Sequence, residues 1–168
     1  MVGKSLVEQD LVEVAKDIQT KAAQFNCKLI LPLDVICGKS IEDREPIEFD
    51  INDISKNYMI LDLGTKTTAL INQEIKNSKM VLWNGPVGAF EYKSYERATN
   101  EIALNIKQNV KQFGINALAG GGDTVSAIKN ANAEDGFDYI SNAGGAFLEW
   151  LEGNQSPGVI ALRENNLS

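Results

Sequence analysis

Residues 79–98 read KMVLWNGPVGAFEYKSYERA, and the stretch changes character at Asn84. Met80, Val81, Leu82 and Trp83 form a short bulky apolar run that suits a buried strand. Asn84, Gly85, Pro86 and Gly88 then break it, and a helical pattern carried by Ala98, Ile102, Ile106 and Val110 follows. A buried strand ending in a stiff turn with few side chains is either a tight connection or a place where something rests on bare backbone. The same succession of strand, glycine turn and helix recurs along the chain, and the recurrence decides the fold.

Residues 58–63 read as a strand, Gly64 as a break, and residues 67–76 as a helix with Leu70, Ile71 and Ile75 on one face. Residues 115–119 are a further strand, followed by a glycine run and a helix through Val125 and Ile128. Tyr139, Ile140 and Ser141 make a last short strand before a helix carrying Phe147, Leu148 and Leu151. Strands alternating with helices of this length predict right-handed βαβ units, hence an α/β fold: a Rossmann-like parallel sheet with helices on both faces. Upstream, Ser5 and Glu8 have the spacing of a capping box, and Leu11, Ala15, Ile18 and Ala22 predict a helix over residues 6–24. Residues 29–31 and 33–37 are apolar, β-prone runs split by Pro32, and the acidic segment EDREPIEFDIND, residues 42–53, reads as a solvated surface loop.

Composition narrows the function classes. A chain of 168 residues with 43% hydrophobic residues fits one domain with a real core. A net charge of −7 argues against nucleic acid or an anionic membrane as partner. A polyanionic ligand would therefore have to be held by backbone N–H groups, helix ends, a metal ion or a few lysines. The sequence has no histidine, which excludes His-based triads and His-ligated zinc. Cys27 and Cys37 lie in apolar surroundings that suit a reducing cytosol, with a disulfide left open. No signal-like or membrane-length apolar run occurs, so the expectation is a soluble, cytoplasmic protein.

In an open parallel sheet ligands bind beyond the carboxyl ends of the strands. Three strands here end in WNGPVG, LAGGGDT and ISNAGGA. In the second loop Gly120, Gly121 and Gly122 leave backbone N–H groups free to approach a phosphate at a helix start. Asp123 either caps that helix or faces the crevice and holds Mg²⁺. Neither a Walker A loop nor a G-x-G-x-x-G fingerprint is present. Gly144 and Gly145 repeat the arrangement, and close helix–strand packing explains that loop equally well. Glu91 is either a surface glutamate or an acceptor for ribose hydroxyls.

Together GKSLVE, LPLDV, LDLGTKT, VLWNGPVGAFE, GGGDT, ISNAGGAFLEWLEG and PGVIAL resemble phosphoglycerate kinase, in that family's order and over essentially the whole chain. The resemblance implies a phosphotransferase with a carboxyl acceptor, moving a phosphoryl group between 1,3-bisphosphoglycerate and ADP in glycolysis. It places residues 1–168 as a single partial domain, the nucleotide-binding lobe. It implies that Asn84 contacts nucleotide phosphates, that Gly85, Pro86, Val87, Gly88 and Ala89 shape the adenine side, and that Glu91 holds the ribose. Gly120, Gly121 and Gly122 cradle phosphate oxygens, Asp123 coordinates the metal and Thr124 donates to phosphate. Gly144 and Gly145 present N–H groups to the transferring phosphoryl group, and Leu6, Ile41 and Leu61 fall at adenine-pocket positions. ATP or ADP with Mg²⁺ are the implied ligands.

This sequence departs from the family pattern at Asn142 and Ala143, where the family usually has Thr-Gly before the two glycines. Ala143 is a mild change, whereas Asn142 bears on the hinge. The family's N-terminal lobe, with its phosphoglycerate site and catalytic arginine, has no counterpart here. Neither do the first two strands of the nucleotide lobe and a Gly-Ala-Lys loop. The resemblance therefore implies a chain truncated on its N-terminal side, binding phosphoglycerates only with the missing lobe and inactive alone. The alternative is a non-catalytic remnant or module that needs a partner chain to fold.

Overall fold

Ile47, Glu48, Phe49 and Asp50 alternate apolar with acidic, and that alternation makes a strand of what the charge count reads as a loop. The acidic segment is therefore corrected: β2 (Ile47–Asp50) pairs antiparallel with β1 (Asp34–Gly38), Val35 opposite Phe49. The computed structural model describes residues 2–153 and residue 160. The motif at residues 157–162 lies, save Ile160, outside the described residues. The chain forms two units, Met1–Glu74 with Val87–Thr99, and Ile75–Pro86 with Asn100–Ser168.

In the first unit β3 (Met59–Leu63) also pairs antiparallel with β1, giving the order β2-β1-β3. The expectation that this strand belongs to a run of parallel βαβ units is corrected as well. Alternation of strand and helix reports local structure, whereas pairing direction is fixed by contacts distant in sequence. Val35, Cys37 and Ile54 form a buried core, with Phe49, Ile51, Tyr58 and Ile60 packed against it. Burial pushes the Cys37 thiol up to about 11, so it stays neutral and serves as packing. Helix α2 (Thr65–Asn77) starts on acceptors supplied from the sheet. Asp34 takes the N–H groups of Lys66 and Thr67, each at 2.8 Å, and Glu48 takes that of Thr65 at 2.8 Å.

The start of the chain differs from the reading of Ser5 and Glu8 as a capping box. The Ser5 hydroxyl accepts the Ile60 N–H at 2.8 Å, and the Lys4 N–H donates to the Tyr58 carbonyl at 2.7 Å. Ser5 is thus spent on β3, and α1 (Val12–Gln24) begins after one turn of 3₁₀-helix at Gln9–Leu11. Every residue of α1 is exposed except the half-buried Ala22. Residues 29–31 form no strand, and Leu29, Leu31 and Leu33 are exposed. Phe25, at the end of the helix, is 80% exposed. Few apolar contacts hold this segment, so amide exchange is expected to be fast over residues 12–31 and slow in β1, the centre of its sheet. Hydrogen-exchange mass spectrometry checks this, and equal protection of both would overturn it.

The second unit is the α/β part that the sequence pattern predicts. β4 (Met80–Trp83), β5 (Asn116–Gly120) and β6 (Tyr139–Ser141) form a parallel sheet in that order, with Trp83 opposite Ala119 and Ala119 opposite Ile140. Helices α3 (Arg97–Phe113) and α4 (Gly122–Asn130) make the crossovers, and α5 (Gly144–Leu151) follows β6. Trp83, Ala117 and Ala119 are buried on one face, and so are Ile102, Ile106, Val125 and Ile128 of the helices. The indole of Trp83 stacks on Phe137 with centroids 6.1 Å apart. Met80, Leu82 and Tyr139 on the other face stay exposed. The side chains of Phe147 and Leu151, expected on one face of α5, lie outside the description, while Leu148 is exposed. Among the described residues no helix is long and apolar enough to cross a membrane.

Candidate functional site

In the second unit the carboxyl ends of three parallel strands meet. A Cβ placed on Gly144 would lie 2.7 Å from Gly121 Cα and 3.3 Å from Asn84 Oδ1, so the three loops touch where side chains are missing. Gly121 holds φ +100°, a backbone conformation that favours glycine, and serves as the N-cap of α4 without a side-chain cap. The first N–H of that turn with an acceptor behind it is Val125, which donates to the Gly121 carbonyl at 3.0 Å. The N–H groups of Gly122, Asp123 and Thr124 come before it, at the positive end of the helix dipole. Cβ atoms on Gly122 and Gly145 would meet open space. Two glycines here serve packing, and two leave backbone open.

Asp123 is exposed in the first turn of α4, and Thr124 beside it is buried. Among the described residues no three His, Cys, Asp or Glu side chains gather to hold a metal. One carboxylate beside bare backbone fits Mg²⁺, which usually keeps water and phosphate oxygens in most of its shell. Asn142 and Ala143 are exposed, and the Ala143 N–H bonds to Ser141 Oγ at 3.2 Å. The Gly144 spacing carries a prediction. Gly144→Ala drives a methyl into backbone and is expected to lower the stability of this unit by about 1–3 kcal/mol, whereas Gly145→Ala leaves it nearly unchanged. Thermal unfolding of the two variants measures this, and equal midpoints would contradict the packing.

The remainder of the opening stretch belongs to the first unit, where three contacts hold it. The Val87 N–H bonds to Thr99 Oγ1 at 3.2 Å, and the Ala89 N–H to the Leu61 carbonyl at 2.8 Å. A Cβ on Gly88 would fall 2.7 Å from Asp62 Cγ and 2.8 Å from the Tyr95 carbonyl. Asp62 is 1% exposed and accepts the Ala98 N–H in the first turn of α3 at 3.0 Å. Tyr95 is fully buried, and its hydroxyl donates to the Asp43 carbonyl at 3.0 Å. Burial raises its pKa, assisted by the negative charge of Asp43. Sequence reasoning passed over Asp62, Thr99 and Tyr95. The available signal was an aspartate inside the apolar run MILDL, which burial obliges to find donors.

The other expected residues are placed singly. Ile41 lines an open cleft of about 530 Å³ with Arg44, Tyr92 and Lys93 among its walls. Leu61 is half-buried in β3, Glu91 is exposed, and Leu6 is 96% exposed. Asn84, Gly85, Pro86, Gly120, Gly121, Gly122, Asp123, Thr124, Gly144 and Gly145 lie in the second unit. Leu6, Ile41, Leu61, Val87, Gly88, Ala89 and Glu91 lie in the first.

The family model for phosphoglycerate kinase matches residues 1–154. The chain belongs to the phosphoglycerate kinase family. It is 44% identical over 162 residues to the phosphoglycerate kinase of Cereibacter sphaeroides, covering 96% of this chain and 41% of that protein. It is 42% identical to the Rhizobium meliloti phosphoglycerate kinase, with 98% of this chain and 42% of that one covered. The solved phosphoglycerate kinase of Coxiella burnetii superposes with a TM-score of 0.85 at 35% identity, over 92% of this chain and 39% of that structure. The Pyrococcus horikoshii phosphoglycerate kinase shares the fold, with a TM-score of 0.73 at 23% identity, over 92% of this chain and 37% of that one. The chain thus spans about two-fifths of the length of the curated phosphoglycerate kinases it matches.

Proposed function

We propose that the second unit of this chain binds the phosphates of Mg²⁺-ADP or Mg²⁺-ATP. It would thereby supply the nucleotide side of phosphoryl transfer between 1,3-bisphosphoglycerate and ADP, a cytoplasmic step of glycolysis. The observation that carries the reading is the convergence of Asn84, Gly121 and Gly144, with Gly122 and Gly145 facing open space beside an uncapped helix start. Such an end binds anions through N–H groups and the helix dipole, without a basic side chain. In this reading Asn84, Gly120, Gly121, Gly122 and Thr124 hold phosphate oxygens, Asp123 holds the metal, and Gly144 and Gly145 serve the transferring group. Mg²⁺, when bound, neutralises phosphate charge. The base and ribose roles of Gly85, Pro86, Val87, Gly88, Ala89, Glu91, Leu6, Ile41 and Leu61 rest on the family resemblance. On its own the 168-residue chain binds nucleotide without turnover.

Titration calorimetry of ADP with and without Mg²⁺ tests the phosphate site. Mg²⁺ is expected to strengthen binding, and Asp123→Asn to remove about tenfold of that gain, or about 1.4 kcal/mol. Equal affinity with and without the metal would remove Asp123 from the proposal. A second reading, a module that requires a partner chain, is favoured by the exposed apolar residues Val14, Ile18 and Phe25. Precipitation of the purified chain at low micromolar concentration would support it.

A further inference from the structure

We propose that Asn84 and Gly85 form a site of spontaneous modification, in which the Gly85 nitrogen closes on the Asn84 side-chain amide and leaves a carboxylate beside the Gly121 and Gly144 loops. The bond formed joins the Gly85 nitrogen to Asn84 Cγ, and the bond broken joins Cγ to the side-chain nitrogen. That nitrogen leaves as ammonia, taking the proton of the Gly85 N–H. Water then opens the five-membered ring at either carbonyl, giving aspartate or isoaspartate with no change of oxidation state. The consequence for ligand binding rests on the phosphate reading above, whereas the modification itself does not. All the geometry lies within the second unit.

Asn84 is the one asparagine in the sequence followed by glycine. A side chain at the following position hinders attack by its backbone nitrogen, and glycine has none. The local structure leaves both partners accessible. Asn84 is exposed and lies just past the end of β4, outside regular structure. Among the described residues its side-chain amide has no hydrogen-bond partner, and neither has the Gly85 N–H. A Cβ on Gly85 would meet nothing within 4 Å, so the peptide has room to turn toward the amide. Asp135 and Gly136 have the atoms for the same ring, but they are locked. The Asp135 carboxylate is paired with Lys107 at 2.5 Å and Lys111 at 2.6 Å. Those bonds lower its pKa to about 2, so the neutral acid that ring closure needs is scarce. The Gly136 N–H donates to the Ala133 carbonyl at 2.9 Å, and its backbone packs against Lys107. Asn84 Oδ1 lies 3.3 Å from a Cβ placed on Gly144, at the strand ends where the phosphates are proposed to sit. A carboxylate there repels the anions that the start of α4 attracts. Isoaspartate also reroutes the main chain through the side-chain carbon. Affinity for nucleotide would thus fall with the age of the chain.

The test ages the chain at mildly alkaline pH, natively and in urea, and digests it with trypsin. The peptide of residues 80–93 contains Asn84 as its one asparagine, so mass spectrometry reads the conversion directly. In the native chain Asn84 is expected to convert about tenfold faster than any other asparagine. Isoaspartate at position 135 is expected in urea only. An Asn84 that converts in urea but stays intact in the native chain would mean that the fold holds the amide, and this overturns the proposal. Calorimetry then compares Mg²⁺-ADP binding by fresh chain, aged chain and Asn84→Asp. The aged chain and Asn84→Asp are expected to bind about tenfold more weakly than the fresh chain. Asn84→Gln, whose longer side chain closes the ring slowly, is expected to lose no affinity on ageing. Undiminished binding by the converted chain, or an equal loss on ageing in Asn84→Gln, overturns the effect on binding. Failure of the fresh chain to bind ADP overturns the phosphate site and that effect with it, while the mass spectrum still decides the modification.

Discussion

A coupled assay of the purified 168-residue chain, given Mg²⁺-ATP and 3-phosphoglycerate, is expected to read background. Phosphoryl transfer asks little covalent chemistry of a protein. Its acceleration comes from aligning donor and acceptor, neutralising charge and excluding water. At its strand ends the second unit offers backbone N–H groups and the Asp123 carboxylate. No lysine or arginine occurs in residues 80–92, 120–128 or 142–151, the segments that follow the three strand ends. Charge on a migrating phosphoryl group would thus be met by helix ends and metal alone. The matched part of the family also covers only 41% of the Cereibacter sphaeroides protein, and the family resemblance assigns the acceptor's site and its arginine to the remainder. Loss of positioning alone forfeits factors on the order of 10⁵ or more. A separately produced N-terminal piece of a relative, added in trans, is expected to restore part of the rate. Robust turnover by the chain alone, abolished by Asp123→Asn so that a host enzyme is excluded, would overturn this reading.

How much of this was legible in the sequence depended on whether the determining contact was local. β4, β5 and β6 and the helices between them were readable, because apolar runs punctuated by glycine record a strand and helix within some fifteen residues. The convergence of Asn84, Gly121 and Gly144 followed from that pattern once strand ends were aligned. Ser5 was misread because a serine just before a helical pattern, with a glutamate three residues on, looks like a cap, while its partner, Ile60, is 55 residues away. β2 was hidden by its charge, although the alternation of Ile47 and Phe49 with Glu48 and Asp50 was present as a period of two. Antiparallel pairing of β1 with β3 left no local mark at all. Asp34 and Asp62 share one signal, a lone carboxylate inside an apolar strand. Such a group must have buried donors, but the sequence does not say which.

Asp34→Ala is expected to cost the first unit about 3–5 kcal/mol, enough to unfold much of it, since domains commonly hold only about 5–15 kcal/mol in all. Asp34 is 2% exposed and gathers the start of α2 onto β1. Its oxygens accept the N–H groups of Lys66 and Thr67 and the Thr67 hydroxyl at 2.6 Å, while that hydroxyl also serves the Leu33 N–H at 2.9 Å. Removing the carboxylate leaves these donors facing a small cavity. Burial alone would raise the pKa of Asp34, but the bonds from the Thr67 hydroxyl and the two N–H groups outweigh it and lower the value to about 2 from 3.8. The folded state therefore binds this proton less readily than the unfolded chain does. The stabilisation is complete above pH 3.8 and is lost as pH falls through about 2, for a total of about 2 kcal/mol. Asp34→Asn keeps the size of the group but cannot titrate, so its stability should fall less between pH 5 and pH 2 than that of the unsubstituted chain. Urea unfolding followed at both pH values measures the difference. An identical acid dependence in the two proteins would mean that Asp34 is not held as its three donors indicate.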